Sequence, residues 1–294
     1  SEDNQHVEDH LQGVGRELRE EQRRDDWEIL DAWREAAEEM GIPQIREFNR
    51  GDNFGNAYFQ MNQRRGKRWS ATSAYLKPVM SRRNLTVRTN TAVENLCLDL
   101  SDGRLSAKGV SACINGNEKV RFTARREILL SAGAVGSPQI LQLSGIGSQK
   151  LLEDRGVKVN LDLPGVGENL QDHLQVRSVY KVKNTVTLNQ RANSLAGKAL
   201  MGLEYFLFKT GPLTMPPSQL GAFAKSDPSQ SSANIEWHVQ PLSLEKFGDP
   251  LHTFNAITPS VCNLRPSSRG HVRIKSSNWH EYPSITMNYL STED

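Results

Sequence analysis

Two places in the sequence carry residue types that could transfer a proton. Asp172 is followed directly by His173, and His238 lies between Trp237 and Val239 in a segment with strand-like alternation. A carboxylate beside an imidazole is a recurrent acid–base arrangement. Adjacent side chains seldom point at one substrate, however, so the favoured interpretation of the first pair is a structural turn. A lone histidine such as His238 is more often a hydrogen-bonded buried residue than a catalyst.

A turn of small residues could bring a ligand close to the backbone. The apolar run 127–133 predicts a strand buried on both faces of a parallel sheet. Ser137 as N-cap and Pro138 at the first helical position predict a short helix that ends at Gly145. Ligands of α/β folds bind at the carboxyl ends of such strands. The pattern fits a cofactor site and a tight packing crossover equally well.

Other segments must position these residues. A helix is predicted from Asp25 or Asp26, either of which could cap it, to Gly41, because apolar residues recur at spacings of three and four. Residues 48–70 predict a long loop ending in a basic cluster at 64–68. The simplest interpretation of that cluster is a solvated surface, and contact with a cofactor phosphate is its alternative.

From residue 85 onward the hydrophobic pattern changes to alternation. Leu85–Val87 predicts a short strand, and the following residues predict a three-stranded antiparallel meander with turns at Asp102-Gly103 and Asn115-Gly116. Residues 174–294 mix strand patterns with one helix around 197–208. That region therefore predicts an antiparallel sheet with helices on one side.

Composition limits the partners and the location. The 294 residues carry 36 Lys+Arg and 34 Asp+Glu, and this near balance gives no electrostatic argument for nucleic acid. The three cysteines are odd in number and widely spaced, which suits neither a disulfide framework nor a zinc site, so no metal is predicted. No apolar stretch reaches the ~20 residues of a transmembrane helix. We expect a cytoplasmic protein, with peripheral membrane association as the alternative.

The motif content resembles one enzyme family. Residues 131–147 resemble the second signature of the glucose-methanol-choline (GMC) oxidoreductases, flavoproteins that oxidise alcohols with FAD. Three further matches follow the family's order: residues 68–70 with 74–76, residues 164–173, and residues 268–272 with 288–291. Together they cover nearly the whole chain from about Phe48. The branch most similar to this sequence is that of choline dehydrogenase and bacterial alcohol dehydrogenase.

The resemblance implies a fold and a domain layout. The fold class is α/β with α+β character, combining part of an FAD-binding Rossmann-like domain with a substrate domain whose antiparallel sheet carries helices on one face. Residues 1–78 would form an N-terminal helical and loop segment of the interleaved region. Residues 79–168 would be the second part of the FAD-binding domain, and 169–294 a substrate-binding domain that is incomplete at its C-terminus.

The resemblance also implies site residues. Val93 matches a valine whose backbone binds the adenine side of FAD, and the turn Ala132–Gly133 would lie close to the nucleotide. The positions that match the substrate side of the flavin are Gln219, His238 and Asn263. Choline-specific relatives carry a glutamate where Gln219 falls, which would pair with the quaternary ammonium. A neutral Gln219 therefore argues against choline itself.

Two family segments have no match in this sequence. They are the N-terminal Gly-x-Gly-x-x-Gly motif and the C-terminal segment with the catalytic histidine pair, which would lie beyond Asp294. We therefore place no catalytic base in this chain and expect it to be inactive alone. The leading hypothesis is an FAD-dependent dehydrogenase that oxidises a primary alcohol, choline-like or aliphatic, to an aldehyde and passes electrons to an unidentified acceptor. The alternatives are a flavin-containing lyase of the same fold and a non-functional truncated fragment.

Overall fold

A computed structural model describes residues 2–4, 18–49, 51–101 and 103–293. Within them the α-helices are α1 (Glu28–Glu39), α2 (Gly133–Leu143), α3 (Gln149–Asp154), α4 (Leu188–Ala192) and α5 (Leu195–Phe208). The strands are β1 (Glu2–Asn4), β2 (Leu18–Glu20), β3 (Gly55–Tyr58), β4 (Gln63–Arg64), β5 (Lys67–Arg68), β6 (Thr91–Ser101), β7 (Arg104–Ile114), β8 (Glu118–Thr123), β9 (Ile146–Gly147), β10 (Leu161–Asp162), β11 (Gln175–Arg177), β12 (Tyr180–Lys181), β13 (Leu220–Ala224), β14 (Ile235–Gln240), β15 (Ala256–Asn263), β16 (His271–Arg273) and β17 (Ser284–Thr286). Short π- and 3₁₀-helical turns occupy Thr72–Leu76, Lys77–Val79 and Pro212–Thr214.

The chain divides into two compact units, each built from two segments. The first unit combines Ser1–Leu85 with His173–Arg265, and the second combines Thr86–Asp172 with Pro266–Asp294. These bounds describe packing, not what each segment binds. The assignment of cofactor binding to 79–168 and of substrate binding to 169–294 therefore stays a prediction.

The first unit is built on a six-stranded antiparallel sheet. Its strands follow the order β11-β15-β14-β13-β3, and β12 pairs beside β11 on β15. Strand β3 lies in the segment that was predicted to be a loop, and this prediction is wrong for Gly55–Tyr58. All four of its residues are buried, because β3 pairs with β13, some 160 residues further along the chain. A Gly- and Asn-rich sequence has low intrinsic strand propensity, and the tertiary pairing overrides it.

Helix α1 covers one face of this sheet. Trp27 and Leu30 are almost completely buried and pack in a cluster with Tyr58, Leu220 and Val239. Trp27 is therefore a core residue of the first unit. Burial of such large apolar side chains is the main favourable contribution to folding.

The start of α1 differs from its prediction. Trp27, in an extended conformation, is the N-cap residue, and no side chain caps the helix. Neither predicted cap acts as one. Asp26 instead pairs with Arg23 at 2.7 Å, which draws its carboxylate away from the helix N-terminus. The end is as predicted, because Gly41 adopts φ +85°, a conformation that glycine accommodates readily.

Helix α5 presents apolar side chains to solvent. It begins two residues before the predicted start, where Ser194 accepts a hydrogen bond from the Gly197 N–H at 2.8 Å. Six large apolar side chains on this helix are more than half exposed, among them Leu195 and Phe208 at its ends. We call the four between those ends the α5 stripe: Leu200, Leu203, Phe206 and Leu207. Even so, no helix among the described residues has the length and apolar character needed to cross a membrane.

The second unit contains the predicted meander. Strands β6, β7 and β8 form a three-stranded antiparallel sheet in that order. Gly103 lies at the first turn with φ +73°, and Asn115 and Gly116 form the second with φ +51° and +78°. The predicted strand at Leu85–Val87 is absent, since the Leu85 N–H donates to the Arg82 carbonyl in a turn.

The apolar run before α2 is not a strand. Residues 127–132 belong to no helix or strand and lack a strand partner among the described residues, and Leu129 is 82% exposed. An apolar run becomes a buried strand only where neighbouring strands pair with it. Helix α2 also begins at Gly133, earlier than predicted, with Pro138 inside it. Ser137 therefore does not act as N-cap; its Oγ accepts a hydrogen bond from the Ala132 N–H at 3.1 Å.

A buried glutamine connects the last segment of the chain to the rest of the second unit. The Gln142 side chain donates to the carbonyls of Val166 and Val272 and accepts from the Ile274 N–H, at 3.0–3.1 and 2.9 Å. Gly167 closes the same contact, since a Cβ there would lie 2.1 Å from the Val272 carbonyl oxygen. Gly167 belongs to the family-like segment 164–173, and the close approach of the Val272 backbone explains why this position is a glycine.

Candidate functional site

One face of the six-stranded sheet is polar and carries His238. In β14, Trp237 and Val239 point to the α1 side, so alternation places Glu236, His238 and Gln240 on the opposite side. We call this opposite side the polar face. Its polar side chains are unusually well buried for a surface that α1 does not cover, with Glu236 only 9% exposed.

A cavity of about 660 Å³ opens beside His238. Its volume lies in the range of small-molecule sites, which is about 300–1,000 Å³. Both aromatic and polar side chains line it, including Phe59, Arg68, Met215 and Ser218. Arg68 belongs to the basic cluster of the sequence, which the structure places on the short β4–β5 hairpin at the edge of this cavity.

A glycine makes room for the aromatic wall of the cavity. Gly221 is the cross-strand partner of His238, and the Phe59 ring lies over it. A Cβ at Gly221 would come within 2.2 Å of that ring. The Phe59 ring stacks on the His238 imidazole with centroids 5.5 Å apart. Any side chain at Gly221 would displace Phe59 and change the shape of the cavity beside His238.

Glu236 contacts two other residues of the polar face. Its Oε1 lies 3.1 Å from His238 Nε2, and its Oε2 lies 4.0 Å from the Cys262 sulfur. Burial and the nearby Glu236 charge raise the pKa of the Cys262 thiol to about 11. His173 also approaches, so that His173, Glu236 and Cys262 each place a ligand atom within 4.8 Å of the others. Sequence reasoning missed this cluster because its members come together only through strand pairing.

The raised pKa gives a direct prediction for Cys262. Because the folded-state pKa is about 11, we expect the thiol to stay protonated from neutral pH to about pH 10, where an ordinary thiol has ionised. The Raman S–H stretching band, identified by its loss in Cys262→Ser, reports this directly. In Glu236→Gln the band should disappear at lower pH, because the repelling charge is gone. Loss of the wild-type band near the ordinary value of 9.0 would contradict the prediction.

Gln219 lies at the start of β13 with its side-chain amide completely enclosed. The residue is 1% exposed, and neither Nε2 nor Oε1 has a hydrogen-bond partner in the described structure. Its backbone carbonyl accepts from the Phe59 N–H at 2.8 Å, which ties it to the aromatic wall. An unsatisfied buried amide is rare and costs about 1–3 kcal/mol. Gln219 is next to Ser218 of the cavity wall but is not itself among the residues that line the cavity.

The structure does not bring Asn263 next to His238. Asn263 is the exposed last residue of β15, it pairs with Ile235, and its side chain accepts a hydrogen bond from the Arg265 N–H at 2.9 Å. Alternation puts it on the α1 side of the sheet, because its register partner Ile235 lies there with Trp237. His238 instead pairs with Ser260.

Asp172 and His173 make separate contacts. The Asp172 carboxylate accepts a hydrogen bond from the Tyr289 hydroxyl, which raises the pKa of that tyrosine. A ring nitrogen of His173 lies 3.1 Å from the Leu264 carbonyl oxygen. The two side chains therefore do not act as one acid–base pair, and residues 171–174 form neither a turn nor a regular element.

In the second unit, the surroundings of Val93 fit a dinucleotide. Val93 lies on β6, the edge strand of the meander, which leaves one side of the backbone free of sheet partners. The β6–β7 register shifts between Val93 and Asn95, which marks a β-bulge. Glu94 lies in this bulge, and its Oε1 is buried without a hydrogen-bond partner in the described structure.

The turn before α2 offers a second surface for a dinucleotide. Ala132 and Gly133 are exposed at the N-terminus of this eleven-residue helix. Gly133 has φ +81°, and nothing lies within 4 Å of the place where a Cβ would be. Open backbone at a helix N-terminus suits the phosphates of a dinucleotide. The residues present are therefore compatible with FAD at Val93, Ala132 and Gly133.

Comparison with known proteins assigns the chain to a family. Residues 3–175 match the sequence profile described as GMC oxidoreductase. The chain is 36% identical over 265 residues to an oxygen-dependent choline dehydrogenase of Photobacterium profundum, and 34% identical over 266 residues to one of Staphylococcus aureus. Each alignment covers 90% of this chain and 46% of the relative. The chain thus spans about half the length of these relatives.

Solved structures agree with the sequence match. Pyridoxine 4-oxidase from Mesorbium loti superposes with a TM-score of 0.82 at 25% identity, over 99% of this chain and 53% of that protein. An FAD-dependent oxidoreductase from Chaetomium thermophilum gives a TM-score of 0.83 at 22% identity, over 98% and 58%. The α/β fold class and FAD as the cofactor, both predicted from the sequence, are confirmed. The chain belongs to the GMC oxidoreductase family.

Proposed function

We propose that this chain is part of an FAD-dependent oxidoreductase that oxidises the CH–OH group of a primary alcohol to an aldehyde. The observation that carries the proposal is the cavity at the polar face, where His238 and an aromatic wall meet. The relatives named oxygen-dependent choline dehydrogenase support the alcohol as substrate class. FAD supplies the hydride acceptor in this chemistry.

On the substrate side, His238 and Gln219 would bind and orient the alcohol. The His238 ring lines the cavity, and hydrogen bonding between an imidazole nitrogen and a hydroxyl is ordinary. The Gln219 amide offers two donors and an acceptor that are unused in the described structure. Phe59 packs on His238 and excludes water from one side of the imidazole. Asn263 would act at most from the rim of the sheet, given its exposed position.

On the cofactor side, Val93, Ala132 and Gly133 would hold FAD through their backbone. Val93 lies on the edge strand β6, and the turn before α2 is open around Gly133. Binding through the backbone places few demands on side-chain identity. This is why small residues suffice in the turn.

The substrate partner would be a small-molecule alcohol, choline-like or aliphatic, and the electron acceptor stays unassigned. A nucleic-acid partner is not expected, since the net charge is +2. The proposed location remains the cytoplasm.

Anaerobic reduction of bound FAD tests the proposed function. The FAD-loaded enzyme of which this chain is part is mixed with choline, with a linear primary alcohol and with a tertiary alcohol that has no hydrogen on its carbinol carbon. Loss of the oxidised flavin absorbance with either primary alcohol, but not with the tertiary one, is expected. A flavin that stays oxidised while a cyanohydrin is cleaved would identify the lyase, and no flavin retention would identify a non-functional fragment.

A further inference from the structure

We infer that Glu236 is a positioning residue that fixes His238 in the tautomer protonated at Nε2, so that Nδ1 is the hydrogen-bond acceptor presented to the substrate hydroxyl. The inference deepens the proposed function, since it concerns how the same cavity binds an alcohol. It rests on the contacts of β14 and its neighbours, all of which lie within the first unit.

The first step is the distance between the two side chains. Glu236 Oε1 lies 3.1 Å from His238 Nε2, within hydrogen-bond range. A carboxylate oxygen can only accept, so Nε2 must carry the proton. In a neutral imidazole the other nitrogen is then an acceptor. A carboxylate on one ring nitrogen fixes the role of the other in this way in many sites.

The second step is the rigidity of the carboxylate. Glu236 is only 9% exposed, so its surroundings restrict the carboxylate, and its other oxygen lies 4.0 Å from the Cys262 sulfur on the adjacent strand. The thiol stays protonated and can therefore donate weakly to Oε2. Among the described residues, no Lys or Arg side chain lies within 4.0 Å of this carboxylate, so its charge acts mainly on His238.

The third step is the orientation of the ring. Phe59 stacks on the imidazole, and Gly221 opposite leaves the space that this stacking needs. With Nε2 bound to Glu236 and one ring face covered, rotation of His238 is restricted. No described residue bonds His238 Nδ1, while the ring itself lines the cavity. A substrate hydroxyl that enters the cavity can donate to this nitrogen.

Tautomers are read by nitrogen NMR on the chain labelled with [¹⁵N]histidine, without flavin or substrate. The His238 signals are assigned by their loss in His238→Gln. We expect a protonated Nε2 and an unprotonated Nδ1 at neutral pH, and a mixture of tautomers in Glu236→Gln, whose amide can both donate and accept. A wild-type Nδ1–H tautomer, an imidazolium, or an unchanged spectrum in the variant would overturn the inference.

A matched control is available in the same unit. Glu245 Oε2 lies 3.7 Å from His252 Nε2, but Glu245 is largely exposed and lies outside the cavity. Glu245→Gln removes the same charge from an equivalent pair, and it should leave the His238 signals unchanged. If it shifts them as much as Glu236→Gln does, the effect is not specific to the pair.

The FAD-loaded enzyme of which this chain is part gives a second readout. Glu236→Gln should lower kcat/KM for the best alcohol by about tenfold to a hundredfold, the usual cost of losing a partner that orients a histidine. Glu236→Asp should restore part of the loss, since it keeps the accepting carboxylate. Unchanged kcat/KM in Glu236→Gln would overturn the role in substrate binding. If no alcohol reduces the flavin in any variant, the proposed function fails while the NMR result still decides the tautomer.

Discussion

Replacing Leu30 by alanine is expected to lower the free energy of unfolding of the first unit by about 2–5 kcal/mol. Leu30 has no solvent exposure and lies in the cluster between α1 and the six-stranded sheet. Truncation would remove buried methyl groups and leave a cavity beside Trp27 and Tyr58. The rigid sheet cannot collapse to fill it, so both the transfer and the cavity contributions are lost.

Urea denaturation of wild type and Leu30→Ala, followed by tryptophan fluorescence, to which the buried Trp27 contributes, measures this loss. The matched control is Leu200→Ala on α5, which makes the same chemical change at a position that is 66% exposed. We expect the control to change stability by less than about 0.5 kcal/mol, as for most surface substitutions. Equal losses in the two variants would show that α1 does not pack on the sheet as described.

Replacing Gln219 by glutamate is expected to shift the substrate preference toward cationic alcohols. The substitution is nearly isosteric and puts a carboxylate in an enclosed position whose amide makes no hydrogen bond among the described residues. A charged hydrogen bond or ion contact is worth about 1.5–3 kcal/mol, so the ratio of kcat/KM for choline to that for a neutral alcohol should rise at least about tenfold.

The pH dependence of that ratio gives an additional test. A carboxyl group at this enclosed position should have a raised pKa in the free protein, because burial disfavours its charged form. The gain for choline should therefore grow as the pH rises and the carboxyl ionises. The same charge change on α4, away from both Gln219 and the cavity, is Gln190→Glu, and it should leave the ratio unchanged. An unchanged ratio in Gln219→Glu would mean that Gln219 does not line the substrate site.

The parts of the fold that the sequence predicted correctly are those specified locally. Asn115 and Gly116 demand a particular turn, and the alternation on either side of them specifies the register of the meander. The end of α1 at Gly41 is local in the same sense. The prediction of a buried strand at 127–133 was wrong because it depended on neighbouring strands elsewhere in the fold. Strand β3 was missed because its partner strand is distant in sequence.

The candidate site also contains residues that the sequence indicated and residues that only the structure revealed. His238 and Gln219 were found through resemblance to a family, and the structure then showed what the sequence could not: that one is stacked on Phe59 and the other is enclosed without partners. Glu236 and Cys262 carried no sequence signal, because a cross-strand pair is created by register. A period-two count from Trp237 would have placed Glu236 on the same face as His238.

The α5 stripe has a consequence for handling the protein. Four large apolar side chains in a row on one helix form a surface that water wets poorly, and such patches promote colloidal association at high concentration. Solubility would then be limited by contact between folded molecules rather than by loss of the fold. Mild detergent or a single lysine in place of Leu203 would be the first remedy when preparing concentrated samples.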